Sequence, residues 1–320
     1  MLDRLIDTYR RTGADVPFGN PLPSHGTEME GWFWRVSDEA SGRVLIALCS
    51  VNRHPAGDWS TTAVAVHPGL VVNSAALSGA QARNSPFRVT AGDEAGNFTV
   101  GTNSVHFELG DLRLDMAFRD PVTWPKAFGG GGVFSAIPFL NQYWHPYYLG
   151  GRASGTVEHG GQLWSFTDAK LYAERNWGAG FPLRWWWGQA HDFGADDVCV
   201  AFSGGLLSLG PLARDVNGIV VRIGTKVIRR TPPVLVHSRV GDNQWFIRGR
   251  SPRYEIELEG DGRHLPPHVL PVPLPGERRN IDTDFEHLGG RLRCRVRESG
   301  RLLFDGTSEL AALEVGTRPK

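Results

Sequence analysis

QLWSFTDAKLYAERNWGAGFPLRWWWGQAHDF, Gln162 to Phe193, decides how the rest of the chain is read. It carries five of the eleven tryptophans, together with Glu174, Arg175, Asn176, Gln189 and His191. Aromatic residues dominate and no apolar 3.6-residue period is kept, so the stretch predicts strands rather than a helix. The turn formers of GAGFP, Gly178 to Pro182, separate two such strands and read as the bend of a hairpin. Side chains alternate across a strand. On the first arm Tyr172, Glu174 and Asn176 therefore share a face, opposite Arg175 and Trp177. On the second, Trp185, Trp187, Gln189, His191 and Phe193 face one way, and Arg184, Trp186, Gly188, Ala190 and Asp192 the other. Indoles on both faces mean that neither is ordinary solvent surface. The face that mixes indoles with Gln and His has the composition of a pocket wall.

The flanking sequence continues in short strands. EGWFWRVS (Glu30 to Ser37), Arg43 to His54 and Thr61 to His67 precede a series of segments between residues 87 and 118. Turn signals such as AGDEAGN and LGD recur every eight to twelve residues, the spacing of an antiparallel barrel or sandwich. WPKAFGGGG, Trp124 to Gly132, interrupts the pattern. No Lys-Ser/Thr pair or helix follows it, so it reads as a plain connection, or as a mobile loop or lid near the pocket mouth, rather than a phosphate cradle. Tyr143, Trp144, His145, Tyr147 and Tyr148 then fill a core or line a cavity. Later strands include Val198 to Phe202, Gly218 to Ile223, Val234 to Val240, Gln244 to Arg250 and Tyr254 to Leu258. LPPHVLPVPLPG, Leu265 to Gly276, reads as a loop, and the terminal TSELAALEVG as a cap or a short helix.

Composition bounds the rest. A chain of 320 residues with 41% hydrophobic content can build one large or two ordinary domains. The charge balances, 34 basic against 34 acidic residues, which argues against a nucleic-acid partner. Cys49, Cys199 and Cys294 are odd in number and far apart, as expected of reduced, packed thiols. MLDRLIDTYRRTG lacks the apolar region of a secretory signal. Leu2, Leu5, Ile6 and Tyr9 at helical spacing predict a short amphipathic helix on the protein body, with a membrane-surface anchor as the second reading. No apolar run approaches the ~20 residues of a bilayer span. The expectation is a cytoplasmic chain, with peripheral membrane contact left open. His264 and His268 have helical ligand spacing, but Pro266 and Pro267 between them exclude the helix. No metal site, dinucleotide fingerprint or nucleophile elbow assembles, and no cofactor is expected.

YAERNWGAGFPLRWWWGQ, Tyr172 to Gln189, resembles the tocopherol cyclase family, whose pattern there is close to Y-x-E-K-N-W-G-x-x-F-P-x-x-W-x-W-x-Q. EGWFWRVS resembles that family's E-G-W-Y-F-K/R-V-S, SPFRV (Ser85 to Val89) its P-F-x-V, and LLFDGTSELAALEVG (Leu302 to Gly316) its closing T-S-x-x-A-A-x-E-V-G. The matches keep the family's order over nearly the whole chain. The resemblance, which extends distantly to carotenoid 1,2-hydratases and AttH-type proteins, implies an all-β fold. It would consist of two lipocalin-like antiparallel β-barrel domains of the calycin type with few short helices, residues 1–180 and 181–320.

The resemblance also implies a reaction. A cofactor-independent intramolecular lyase, an isomerase by class, protonates an alkene of a prenylated phenol or terpenoid chain, and the phenol oxygen closes the ring on the resulting cation. That chemistry needs an acid with a raised pKa, a dry pocket and aromatic faces near the positive charge. Matching E-R-N-W to the D-H-x-W of the hydratase-like relatives places Glu174 as the proton donor, with Arg175 beside it and Trp177 at the shared tryptophan. Glu174 next to Arg175 reads equally as one end of a structural ion pair. Glu30, ahead of Trp32 and Trp34, is the competing acid and Asp168 a third. The expected substrate wall is Trp32, Trp34, Tyr143, Trp144, Tyr172, Asn176, Trp177, Trp185, Trp187, Gln189 and His191. The last two bind the phenol oxygen or accept its proton or, as is the default for such residues, are satisfied polar groups of the core. A hydratase, a pericyclase or a non-catalytic binder of an apolar ligand would use the same pocket. Two departures stand out. The family's cysteine pair is absent from ERRNIDTDFEHLGGRLRC, and Gly188 and His191 replace Val and Asn, which predicts a wider or more polar pocket at that point.

Overall fold

A computed structural model describes residues 3–4, 27–84, 86–125, 128–194 and 197–319. Apart from residues 3 and 4, the expected N-terminal helix and the proline-rich lead-in after it lie outside the described residues. Two antiparallel sheets make up the structure. The first contains β1 (Met29–Asp38), β2 (Arg43–Asn52), β3 (Trp59–His67), β4 (Val71–Ser78), β5 (Gln81–Asn84), β6 (Phe87–Asp93), β7 (Gly96–Gly101), β8 (Ser104–Leu109), β9 (Leu112–Arg119), β10 (Gln142–Tyr148), β11 (Arg152–His159) and β12 (Gln162–Gly178). Its order is β4-β3-β2-β1-β12-β11-β9-β8-β7-β6-β5, with β10 also paired to β12. The second contains β13 (Arg184–Ala190), β14 (Val198–Leu209), β15 (Leu212–Ile223), β16 (Lys226–Arg230), β17 (Val236–Gly241), β18 (Gln244–Arg250), β19 (Tyr254–Asp261), β20 (His268–Leu274), β21 (Arg279–Glu298) and β22 (Arg301–Thr317). Its order is β16-β15-β14-β13-β22-β21-β19-β18-β17, with β20 on β21. Short 3-10 turns occur at Gly132–Ala136 and Pro275–Glu277.

Each sheet rolls around its own core. β4 returns against β6, where the Ser78 N–H donates to Asp93 Oδ2 at 2.8 Å. β15 returns against β17, where Asn217 Nδ2 donates to the Val236 carbonyl at 3.1 Å. The first core holds Trp32, Trp34, Phe98, Phe107 and Leu114, the second Trp186, Phe202, Trp245, Leu292 and Leu313. A third cluster, with Phe33, Ile46, Tyr172, Trp187, Val220 and Leu288, lies where the two sheets meet. Burying each such large side chain stabilises the fold by roughly 1.5–3 kcal/mol. Cys49, Cys199 and Cys294 are all buried free thiols. Among the described residues, no helix is long and apolar enough to cross a membrane.

Three sequence expectations need correction. The arms flanking GAGFP do not form a hairpin: β12 pairs with β1, β10 and β11, whereas β13 pairs with β14 and β22 in the other sheet. GAGFP is a crossing between sheets. LPPHVLPVPLPG supplies a strand, β20, that among the described residues pairs with β21 alone while packing on β3 and β4; the ladder shifts between Leu270 and Pro271, so the prolines sit on an edge. TSELAALEVG belongs to β22, paired with β13 on one side and β21 on the other. Ala311 to Leu313 are buried without a break, and burial on both faces erases the alternation that would have marked a strand.

Candidate active site

The two sheets enclose a cavity of about 140 Å³ where they meet. Glu174 of β12 is its central acid. The alternation that turns Arg175 into the first barrel turns Glu174 outward, toward the second sheet. There Glu174 Oε2 accepts three hydrogen bonds: from Tyr172 Oη at 2.6 Å, Trp144 Nε1 at 2.7 Å and Trp187 Nε1 at 2.8 Å. Tyr172 and Trp144 come from the first sheet and Trp187 from the second, so the site needs both. The residue is 5% exposed. Burial raises its pKa to about 7 against the opposing pull of the three donors. Oε1 receives no hydrogen bond among the described residues, which leaves it to carry the proton. Burial also holds the Tyr172 phenol protonated, so that it donates rather than accepts.

Indoles wall the space. Trp32, Phe33, Tyr143, Trp144, Asn176, Trp185 and Trp187 line the cavity with Glu174. Phe33 meets Trp187 edge-on at 5.2 Å, and Phe181 tilts against Trp185 at 4.9 Å. The glycine run forms part of the wall. A Cβ on Gly129 would collide with the His145 ring, and one on Gly130 with the Trp144 indole. These positions are glycine because the backbone lies flat against the rings that hold the acid. The segment is also tied to the second sheet: Val133 N–H donates to the Pro232 carbonyl at 3.2 Å, and Asn141 Nδ2 to the Leu206 carbonyl at 3.2 Å.

Other expected site residues lie elsewhere. Glu30 does not line the cavity; it forms a buried ion pair with Arg175 inside the first barrel, and the Arg175 guanidinium lies 4.3 Å over the Trp177 ring. Trp34 packs in the first core. Trp177 stands behind the wall, stacked on Tyr143 at 5.3 Å, and Tyr172 likewise supports Glu174 from behind. Gln189 and His191 belong to a buried polar knot beside the cavity. Arg35 Nη1 donates to Gln189 Oε1 at 2.9 Å and stands 3.1 Å from His191 Nε2, while Ser37 Oγ donates to Asp192 Oδ2 at 2.6 Å. Burial, aided by Arg35, pushes the His191 pKa well below its ordinary value, so the ring is neutral. Asp168 is on the surface, paired with Arg119 and Arg152. Gly188 gives no extra room to the pocket: it faces the second core, where a Cβ would run into the Phe202 ring.

Two functional candidates escaped the sequence reading. Asp284 of β21 and Glu314 of β22 line the same cavity, and Glu286 is fully buried beside them. Asp284 and Glu286 stand two apart in DTDFE and so share a strand face, a signal that their proline-rich surroundings obscured. Among the described residues, no group of three or more His, Cys, Asp or Glu is arranged to hold a metal ion.

The lipocalin-like fold of two antiparallel β units is shared with solved structures of low sequence identity. The crystal structure of CghA with Sch210972 matches with a TM-score of 0.57 at 12% identity over 96% of each chain. Kievitone hydratase from Nectria haematococca matches with a TM-score of 0.56 at 11% identity, over 95% of this chain and 92% of that one. At these identities the likeness establishes the fold alone. The tocopherol cyclase-like family pattern matches residues 80–317, and the chain belongs to that family. The chloroplastic tocopherol cyclase of Zea mays is 28% identical over 210 residues, 61% of this chain and 43% of that one. The chain thus spans about two fifths of the length of the curated relatives it matches.

Proposed function

We propose that the protein is a cofactor-independent cyclase acting on a small lipophilic phenol with a prenyl or terpenoid chain. Its two units, residues 1–180 and 181–320, bracket the substrate between them. The observation that carries this reading is Glu174: a carboxyl with a pKa of about 7, held by three donors on one oxygen, at the wall of an indole-lined cavity. A neutral carboxyl can hand its proton to an alkene, and the three donors already point at the carboxylate this creates. The indoles of Trp185 and Trp187 favour the tertiary cation that forms beside them. The apolar wall, and the substrate that fills the space beside it, limit the water that could capture that cation first. The phenol oxygen then completes the ring, giving an isomer of the substrate.

Family membership supports a cyclase, and water addition to the same cation is the competing outcome. Water in place of the phenol at the cation would give a tertiary alcohol. The test is product analysis with a prenylated hydroquinone, comparing wild type with Glu174→Gln. The variant should bind the phenol and stay folded while forming neither ring nor alcohol. Near-full turnover by the variant would reject Glu174 as the donor, and binding without turnover by wild type would leave a carrier.

A further inference from the structure

The cavity holds a second pair of acids that alkene protonation leaves unused. Glu314 Oε1 accepts the Trp185 indole N–H. The strand pairing explains how this indole reaches it. Trp185 lies opposite Gly316, where a Cβ would collide with the ring, so glycine lets the indole lie across β22 onto Glu314. Asp284 is also opposite Gly316 but from β21, and Glu286 stands directly opposite Glu314, so Asp284 and Glu314 are diagonal neighbours across the strand pair that both line the cavity. Burial raises the pKa of both carboxyls and the Glu314 charge raises that of Asp284 further, so the two do not readily ionise together. Asp284 is 6% exposed, and its Oδ1 has no hydrogen-bond partner although the residue lines the cavity. That leaves one buried acceptor oxygen beside the space a substrate would fill, and burying it unsatisfied is costly. Arg35, the cation that acts on this acid group, acts on Glu286, which does not line the cavity.

We propose that Asp284 and Glu314 share one proton and bind the phenolic O–H of the substrate, taking its proton as the ring closes. The proposal rests on the cyclase reading and adds the residue pair that selects a phenol. In the step, the Glu174 O–H bond breaks and a C–H bond forms at the alkene. A lone pair on the phenol oxygen forms the C–O bond to the tertiary carbon. The phenol O–H bond breaks, and its proton passes to the Asp284–Glu314 monoanion. Glu174 is then a carboxylate and the pair carries two protons; returning one to Glu174 restores the site. No proton is gained or lost overall, as an isomerisation requires.

The test compares a prenylated hydroquinone with the same molecule methylated on the ring-closing oxygen, binding being followed by quenching of tryptophan fluorescence. Wild type should bind the free phenol at least tenfold more tightly than the ether, and Asp284→Asn or Glu314→Gln should bind both alike. Equal binding of phenol and ether by wild type would overturn the proposal whether or not the phenol cyclises. Discrimination without any ring or alcohol formation would sustain phenol recognition and defeat the cyclase reading. Turnover in heavy water adds a second readout. Either variant should form ring at least tenfold more slowly while still placing deuterium on the prenyl carbons of recovered substrate, because Glu174 is intact. Ring formation within twofold of wild type would overturn the proposal, as would parallel loss of ring and deuterium in a folded variant.

Discussion

Trp187, on the second sheet, donates its indole N–H to Glu174, on the first, at 2.8 Å. This bond makes the acid a property of the assembled protein rather than of either sheet. Trp144 and Tyr172 supply the remaining donors from the first sheet, and both are buried. Two residues along β13, Trp185 makes the matching bond to Glu314. One strand therefore presents two indoles that each fix a different carboxyl of the same cavity.

The first prediction concerns pH. Glu174 must be protonated to act, and its pKa is about 7. Turnover should fall as pH rises through about 7, where Glu174 loses its proton. It should fall again in acid, where the raised Asp284 and Glu314 carboxyls both hold protons and the pair can no longer take one. The same group links to stability: its proton is held more tightly in the folded chain than at the ordinary value of 4.5. Its stabilising contribution is thus complete below about 4.5 and fades as pH rises to about 7. Relative to Glu174→Gln, wild type should lose on the order of 2 kcal/mol of stability between pH 5 and pH 8. Comparing the two in urea unfolding at both pH values cancels contributions from other groups, including His145, whose pKa burial lowers to about 3. A constant difference would mean that Glu174 is ionised throughout.

Trp187→Phe keeps an aromatic face in the cavity but removes one donor to the carboxylate. The hydrogen bond from Trp187 lowers the Glu174 pKa, so its loss should move the alkaline limb of the pH–rate profile upward. Maximal kcat should fall, because the carboxylate left by proton transfer has one donor fewer, by about tenfold to a hundredfold for a bond worth ~1.5–3 kcal/mol. KM should change little. An unmoved limb with a raised KM would reduce Trp187 to a packing residue.

Alternation placed Tyr172 and Glu174 on one face of β12, and Trp185 and Trp187 on one face of β13, and the structure agrees. What the period-two pattern does not say is what that face meets. Gln189 follows Trp187 on the same face yet meets Arg35 of the first sheet at 2.9 Å instead of the cavity, because the two sheets come into direct contact at that end of β13. Trp34 and Trp177 resemble wall residues in composition, but one fills a barrel and the other supports Tyr143. Asp284 and Glu314 come together only through the pairing of β21 with β22. Such long-range register leaves no local trace, and prolines before Asp284 and helix formers around Glu314 pointed away from strands.

Gly130→Ala tests the close approach of backbone to indole. The added Cβ would occupy the position of the Trp144 ring, so either the loop or the ring must move. Moving Trp144 withdraws a donor from Glu174; moving the loop opens the wall to water. Both lower turnover, and strain of this kind costs about 1–3 kcal/mol of stability. Water entry should also divert product from ring to tertiary alcohol, which mass spectrometry would detect. An unchanged product ratio and rate would show that the loop adapts freely.

Glu30→Gln separates structural from chemical acids. Glu30 and Arg175 are 1% and 0% exposed, and their ion pair lies inside the first barrel rather than on the cavity. Neutralising Glu30 removes an ion-pair partner from a fully buried guanidinium, a change of the kind typically worth about 3–5 kcal/mol. Stacking of Arg175 over Trp177 recovers only part of this. The variant should unfold at markedly lower denaturant, while its folded fraction turns substrate over at close to the wild-type rate. Glu174→Gln should do the reverse, keeping most of the stability and losing turnover. Loss of turnover in Glu30→Gln with stability intact would move the proton donor to Glu30.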